Sequence, residues 1–134
     1  CSATTPCPAL GIISDVGSSW FVPNLIGRAR ANGMGLLGDD ISSEQAKDWG
    51  LIWDSVSDEE LLPKSFEIAE RLANGPIDGL KAIVKAHDNA LSTSLNDQLD
   101  YEKDTQRVLL DKKEFKEGVS AFVGKRKPNF RDLS

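Results

Sequence analysis

The chain has 134 residues, of which 40% are hydrophobic, and its 16 basic and 21 acidic residues give a net charge of −5 at pH 7. This length and apolar fraction predict one folded domain and exclude a disordered chain. The negative charge excludes general nucleic-acid binding, which needs a basic face. No apolar run approaches the ~18 residues of a membrane span, and we expect neither a membrane partner nor a signal peptide.

The two cysteines, Cys1 and Cys7, lie close together near the N-terminus. Without a CxxC motif or a Cys/His set, they predict neither a disulfide framework nor a metal site. A reducing cytoplasm is the expected compartment. The only histidine, His87, lies near an apolar helix stripe, and we expect a structural role because the sequence offers it no ligand set.

The first part of the chain leads into a turn with one acidic residue. Residues 1–10 are predicted to be irregular, because Pro6 and Pro8 disfavour a helix around them. Residues 11–27, GIISDVGSSWFVPNLIG, place Asp15 in a turn before an apolar run. Two interpretations of Asp15 are open: a helix N-cap, which is the commoner role, or an acid/base group whose pKa is set by partial burial.

Two short helices are predicted after this turn. The first covers residues 17–26 and contains Pro23, so we expect two short pieces or a kink. The second covers residues 28–37 and contains Gly33 and Gly35. Each of these glycines costs about 0.5–1 kcal/mol against alanine unless a backbone must pass closely, so they indicate close helix packing.

The next signals are two capping boxes. Ser42 begins a Ser-x-x-Gln box, and the helix that it starts is predicted to end at Gly50. Residues 51–56 are rich in large apolar side chains and are predicted to form a short strand. Ser57 begins a second capping box, and the helix that follows is predicted to run to Asn74.

Three more helices are predicted, over residues 76–91, 94–110 and 112–124, the first opened by Pro76. Each helix after residue 57 carries an apolar stripe at helical spacing, which we expect to face the core. The stripes are Leu62, Phe66, Ala69 and Ala73; Leu80, Ile83, Val84 and Leu91; Leu95, Leu99, Val108 and Leu109; and Phe115, Val119, Phe122 and Val123. Gly118 in the last helix indicates another close approach.

The order of these motifs resembles the second half of the crotonase superfamily, the enoyl-CoA hydratases and isomerases. That pattern has a turn G-[LI]-x-P-[DG]-x-G-G-T, a helix LPRLVGRARA, an LLG corner and a helix ISAEEAxxWGLV. The chain matches it at Gly11, Asp15, Gly17, Pro23, Gly27, Arg28, Ala29, Gly38, Ile41, Ser42, Glu44, Ala46, Gly50 and Leu51. Residues 115–130, FKEGVSAFVGKRKPNF, resemble the closing EGVxAFxEKRKPxF. Asp15-Val16-Gly17 followed by Trp20 is most similar to the 1,2-epoxyphenylacetyl-CoA and dienoyl-CoA isomerases.

The resemblance implies a mostly α fold. It would be the C-terminal helical half of the crotonase fold, with at most one or two short strands and without the N-terminal β-spiral. Residues 1–10 would be the lead-in, and residues 11–56 the turn, short helices and strand of the crotonase core. Residues 57–130 would be the helical, trimerisation-type region, and residues 131–134 a tail.

The resemblance also implies site residues. Asp15 matches the carboxylate that shuttles a proton while two backbone N–H groups stabilise a thioester enolate. Trp20 could line the acyl pocket, although a buried core aromatic is the commoner role. Phe122 and Lys125 match the region that reaches the CoA. The basic cluster 125–127 has an alternative role, as a solubilising tail that complements a helix dipole.

The implied function is acyl-CoA isomerisation in phenylacetate or fatty-acid catabolism, with no cofactor besides the CoA of the substrate. Cys7 replaces the second glutamate of the hydratase branch, which favours isomerisation over water addition. Because complete superfamily members also have an N-terminal half with the oxyanion donors, we interpret the chain as truncated and inactive alone. The alternative is a non-catalytic, self-associating remnant or interaction module. A homo-oligomer, either a dimer or a trimer, is expected in both cases.

Overall fold

The computed structural model describes residues 2–3 and 7–133, and the chain divides into two compact units, Cys1–Asp58 and Glu59–Ser134. The described residues form eight α-helices, two strands of two residues each and one short 3₁₀ helix. This confirms the prediction of a mostly α fold with at most one or two short strands. Cys1 and the side chain of Cys7 lie outside the described residues, so the expected absence of a disulfide stays a prediction.

The first unit has six elements. They are β1 (Ser2–Ala3), α1 (Cys7–Leu10), α2 (Ser18–Ile26), α3 (Arg28–Leu37), β2 (Ile41–Ser42) and α4 (Ser43–Trp49). The two strands pair antiparallel, with Ser2 opposite Ser42 and Ala3 opposite Ile41. A small core of Ile26, Met34, Ile41 and Ala46 joins α2, α3, β2 and α4, and Val22, Ala31, Trp49 and Leu51 pack against it.

One half of the capping box predicted for α4 is formed, the cap by the Ser42 hydroxyl, whereas no return bond from the Gln45 side chain is found among the described residues. The Ser42 hydroxyl accepts a hydrogen bond from the backbone N–H of Gln45 at 3.1 Å. At the other end of α4, Gly50 adopts a left-handed φ of 81°, a conformation that glycine reaches without a Cβ penalty. Both ends of α4 could therefore be read from local sequence chemistry.

Two predictions for the first unit are wrong, and a third is decided in part. The lead-in is not wholly irregular, because it contains β1 and α1; Pro8 is tolerated in the first turn of α1. Helix α2 is one helix, which excludes two short pieces, while a kink at Pro23 stays a prediction. Residues 51–56 contain no strand. The N–H groups of Leu51 and Ile52 instead bond to the Ala46 carbonyl, at 2.9 and 3.4 Å, and close the end of α4.

The second unit is helical, and its first helix begins at Asp58, the last residue of the first unit. Its helices are α5 (Asp58–Ala73), α6 (Ile77–Ala90), α7 (Leu95–Leu110) and α8 (Lys113–Val123), followed by the 3₁₀ helix Arg131–Leu133. Helix α7 packs against both α6 and α8. The side chain of Gln98 on α7 is buried; its amide donates to the Ala86 carbonyl at 3.2 Å, and its oxygen accepts from Asn89 Nδ2 at 2.9 Å. A polar side chain thus joins α6 and α7.

The apolar stripes are the main difference from the sequence prediction. Within the described part of the chain α5 has no buried residue, and Phe66 is 72% and Phe122 85% exposed. Residues expected to face the core but exposed are Leu62, Phe66, Ala69, Ala73, Ile83, Val84, Leu91, Leu95, Leu99, Val108, Phe115, Val119, Phe122 and Val123. Helical spacing shows which residues share a face, but it does not supply the element that covers the face.

The structure also bears on the predictions made for the helix glycines and for His87. A Cβ placed on Gly33, Gly35 or Gly118 would have no neighbour within 4 Å in the described residues, so the predicted close approaches are not made there. His87 is exposed in the last turn of α6, where a positive charge would complement the helix dipole. No hydrogen bond of the His87 ring is found in the described residues, and its structural role stays a prediction.

Candidate functional site

Asp15 lies in the turn before α2, directly before two residues with an unusual backbone conformation. Val16 and Gly17, which follow it, have left-handed φ values of 53° and 80°. The Asp15 carbonyl accepts two hydrogen bonds from Ser18, one from its backbone N–H at 3.0 Å and one from its hydroxyl at 2.6 Å. Gly17 occupies the N-cap of α2, and no side-chain cap is found there in the described residues. The N-cap interpretation of Asp15 is therefore wrong.

Val16 carries a cost that packing does not explain. A β-branched residue with positive φ is an outlier, and the left-handed conformation costs roughly 1–2 kcal/mol. The side chain of Val16 is 94% exposed, so burial does not offset that cost. Strain of this kind concentrates at functional sites, and here it lies beside the exposed carboxyl-bearing residue Asp15.

A groove of about 380 Å³ borders this turn. Ser14 and Ser18, the neighbours of Asp15 in the turn, line one part of it, and Val22, Ala31 and Met34 line another. Arg28 and Asn32 also line it, whereas Asp15 does not. The groove therefore combines hydroxyl, amide and guanidinium groups with apolar side chains of α2 and α3, a mixture that suits a ligand with both polar and apolar parts.

Trp20 lies on α2 but is not a core residue. It is 47% exposed, and its ring packs edge-to-face on Phe21 with a centroid distance of 4.9 Å. The Phe21 ring in turn lies 3.1 Å from the position that a Cβ on Gly17 would take. The commoner role, a buried core aromatic, is wrong for Trp20, whereas its role in an acyl pocket stays a prediction.

Phe122 and Lys125 lie together at the end of α8. Phe122 lines an apolar cleft of about 420 Å³ with Leu109, Phe115 and Phe130. Lys125 has a left-handed φ of 47°, and its N–H donates to the Phe122 carbonyl at 3.2 Å. The N–H of Arg126 donates to the Ala121 carbonyl at 3.0 Å. These two bonds form a Schellman motif in which lysine takes the position usually held by glycine.

Glu117 is a residue that the sequence reasoning missed. Its carboxylate accepts from Arg126 Nη1 at 2.6 Å and Nη2 at 2.8 Å, and from the backbone N–H of Asn129 at 2.7 Å. The Glu117 side chain is only 14% exposed. The Arg126 guanidinium, followed by the Asn129 amide, lowers the pKa of Glu117 from 4.5 to about 2. A glutamate nine residues before an arginine, across a helix end, was the available signal.

The predicted site residues thus fall in two places. Asp15 and Trp20 belong to the first unit, and Phe122 and Lys125 belong to the second. Among residues 2–3 and 7–133 no group of three or more His, Cys, Asp or Glu side chains could hold a metal ion. In that same part of the chain, no helix is both long and apolar enough to cross a membrane.

Comparison of the chain with known proteins identifies its family. The enoyl-CoA hydratase/isomerase family profile matches residues 2–133, nearly the whole chain. The chain therefore belongs to the enoyl-CoA hydratase/isomerase family of the crotonase superfamily.

Individual relatives share this similarity. The chain is 46% identical over 121 residues to the 1,2-epoxyphenylacetyl-CoA isomerase of Escherichia coli K12, which covers 90% of this chain and 46% of that protein. It is 30% identical over 125 residues to the crotonyl-CoA hydratase of Syntrophomonas wolfei, covering 93% of this chain and 48% of that protein. The crystal structure of enoyl-CoA hydratase from Bacillus anthracis has a TM-score of 0.91 at 31% identity, covering 97% of this chain and 50% of that one. The chain spans about half the length of these relatives.

Proposed function

We propose that this chain supplies the proton-transferring carboxylate of a crotonase-type acyl-CoA isomerase, and that Asp15 is that carboxylate. The observation that carries the proposal is the turn itself. Asp15 is exposed, does not cap α2, and lies directly before two left-handed residues, one of them a valine with no packing partner to explain its conformation. A carboxylate held in a strained turn beside a partly apolar groove suits general acid/base catalysis.

The proposed reaction moves one proton along the acyl chain. The Asp15 carboxylate takes a proton from the α or γ carbon, and the electrons of that C–H bond pass toward the thioester carbonyl, which becomes an enolate. The protonated Asp15 then returns the proton to another carbon, so that the double bond shifts and no atom is gained or lost. The 46% identity to a protein named 1,2-epoxyphenylacetyl-CoA isomerase supports an isomerase over a hydratase.

The substrate contacts are part of the same proposal. The groove beside Asp15 would hold the reacting end of the acyl group. In the second unit, Phe122 and Lys125 are exposed at the end of α8 and would contact the CoA of a substrate bound by their own or a neighbouring chain, with Lys125 contacting the CoA phosphates. Donors for the enolate oxygen would come from the part of the fold that the longer relatives have in addition to the matched half.

The test measures deuterium exchange at the α carbon of phenylacetyl-CoA in heavy water, by mass spectrometry. The chain is assayed alone and together with the N-terminal half of the Escherichia coli isomerase, supplied as a separate polypeptide. We expect exchange that Asp15→Asn slows by about 10²–10⁴-fold, the usual contribution of a general acid/base. Asp39→Asn, which changes an exposed aspartate of the same unit, is the matched control and should leave the rate unchanged.

Two results would overturn the proposal. One is exchange at the wild-type rate in Asp15→Asn, which would remove Asp15 from the chemistry. The other is no exchange by the wild-type chain either alone or with the added half. In the second case, the exposed stripes on α5 and α8 favour the other candidate function, a non-catalytic module that associates through them. Light scattering would then show a mass above that of one chain, and Phe66→Ser or Phe122→Ser would reduce it.

A further inference from the structure

We propose that Glu117 and Arg126 are positioning residues for the CoA contact at Lys125: their ion pair holds the turn that presents Lys125 and Lys127 to phosphate. The inference rests on the proposed function, because it presumes that this end of α8 contacts CoA. It assigns different roles to three neighbouring cations that a sequence shows only as one basic cluster.

The Arg126 side chain is occupied by its pairing with Glu117. Its two terminal nitrogens bond to the two carboxylate oxygens of Glu117 at 2.6 and 2.8 Å, and Nη1 also donates to the Lys127 carbonyl at 3.2 Å. A guanidinium in such a bidentate pair has both terminal nitrogens occupied by the carboxylate. No carboxylate partner is found for Lys125 or Lys127 among the described residues, and both are exposed. The lysines, and not Arg126, are therefore available to an anion.

The Glu117 carboxylate also bonds to the backbone of the segment after α8. Glu117 also accepts from the Asn129 N–H at 2.7 Å, so one carboxylate ties two points of the segment after α8 to the body of the helix. Between Glu117 and Asn129 lies Lys125, a non-glycine residue with a left-handed φ of 47°. A lysine leaves that conformation readily unless its surroundings hold it. The ion pair closes the turn on the side after Lys125.

The C-terminal end of α8 would by itself repel an anion. The carbonyl end of a helix carries partial negative charge and disfavours a phosphate. In α8 the carbonyls of Ala121 and Phe122 already accept from the N–H groups of Arg126 and Lys125. Keeping Arg126 in place therefore keeps these carbonyls paired, so that they do not oppose an anion at the lysines that follow them in the chain. Loss of the ion pair would break the hydrogen bonds to these carbonyls and would also release the lysines from their fixed positions.

The experiment is an NMR titration of the ¹⁵N-labelled full chain with coenzyme A as the probe, following the backbone amides of residues 125–127. The variants are Lys125→Met, Glu117→Gln and the double variant, with Glu102→Gln on the neighbouring helix α7 as control. Glu117→Gln and Glu102→Gln both change the net charge from −5 to −4. A less acidic chain should bind an anion better. If Glu117→Gln binds coenzyme A more weakly than wild type and Glu102→Gln does not, the change in net charge therefore cannot be the cause.

We expect Lys125→Met and Glu117→Gln each to raise the Kd for coenzyme A about three- to fivefold, the size of one exposed charge contact. The Kd of the double variant should be no higher than the higher Kd of the two single variants, because both substitutions act through one contact. Glu102→Gln should match the wild type. If Glu117→Gln loses the dispersed spectrum of a folded chain, Arg126→Lys takes its place in the same cycle, since it keeps the charge and removes the paired geometry.

The possible failures are distinct. If coenzyme A leaves the wild-type amides of residues 125–127 unshifted, the CoA contact of the proposed function fails, and the present inference fails with it. If the wild type binds and Lys125→Met weakens binding, but Glu117→Gln does not, only the positioning role is overturned. It is also overturned if the two losses multiply in the double variant, because the residues would then act independently.

Discussion

Asp15 and Ser18 are joined by two hydrogen bonds, both accepted by the Asp15 carbonyl, from the Ser18 N–H at 3.0 Å and from the Ser18 hydroxyl at 2.6 Å. The second bond is the only one of the two that a side-chain change can remove. We expect Ser18→Ala to loosen the turn and to slow α-proton exchange several-fold, while the free energy of unfolding falls by about 0.5–1.5 kcal/mol. Urea unfolding and the exchange assay measure the two effects.

Ser19→Ala is the matched control for this change. Ser19 is the next residue of α2 and is exposed, and its hydroxyl has no hydrogen-bond partner among the described residues. Ser19 lines the same groove as Ser18, so its removal controls for a lost groove hydroxyl: it should leave the free energy of unfolding unchanged and slow the exchange less than Ser18→Ala does. Equal effects of Ser18→Ala and Ser19→Ala would show that the 2.6 Å bond does not hold the turn.

Val16 gives a prediction of the opposite sign. Asparagine tolerates a left-handed φ better than valine, and a valine that is 94% exposed has little packing to lose. Val16→Asn should therefore raise the free energy of unfolding by about 1 kcal/mol. Ile13→Asn, at a residue that is 84% exposed and whose φ is not positive, should give no gain. A gain of the same size in both variants would mean that solubility, and not backbone strain, is the cause.

Helix ends could be predicted from the sequence because local chemistry determines them. The Ser42 hydroxyl caps α4, and the Ser94 hydroxyl accepts from the Asp97 N–H at 3.2 Å and caps α7. Gly50 ends α4 with a positive φ. Each of these signals acts within about one helical turn, so neighbouring residues contain all the required information.

The candidate site could be predicted only in part. The resemblance pointed to Asp15, but no local rule predicts that Val16, a β-branched residue, adopts a left-handed φ. The pairing of Glu117 with Arg126 depends on where α8 ends and how the chain turns back. The apolar stripes failed for a different reason. A residue such as Phe122 needs a covering element to be buried, and periodicity within its own helix carries no information about that element.

Lys125 should show opposite effects on stability and on binding. Its φ of 47° is a conformation that glycine adopts without penalty, so Lys125→Gly should raise the free energy of unfolding by about 1 kcal/mol. The same change removes the charge proposed to contact phosphate and should weaken coenzyme A binding. Lys127→Gly has no positive φ to relieve and should lower stability slightly. If Lys125→Gly is destabilising, the lysine side chain makes a stabilising contact that outweighs the strain.

Glu117 gives a pH dependence whose sign follows from its pKa. The pKa is lowered from 4.5 to about 2, first by the Arg126 guanidinium, so in this pH range the unfolded chain binds more protons than the folded one. The stability that Glu117 contributes is fully present above about pH 4.5 and is lost as the pH falls toward about 2. Wild type should therefore be more stable than Glu117→Gln at pH 7, by a margin that shrinks below pH 4.5.

Urea unfolding of both proteins at several pH values between 7 and 2 tests this dependence. Glu102 is exposed on α7 and has no ion-pair partner in the described part of the chain, so Glu102→Gln should stay close to wild type throughout. A difference between wild type and Glu117→Gln that stays constant down to pH 2 would contradict the prediction. It would mean that glutamine destabilises the segment after α8 through lost geometry, such as the bond from the Asn129 N–H, and not through the lost charge.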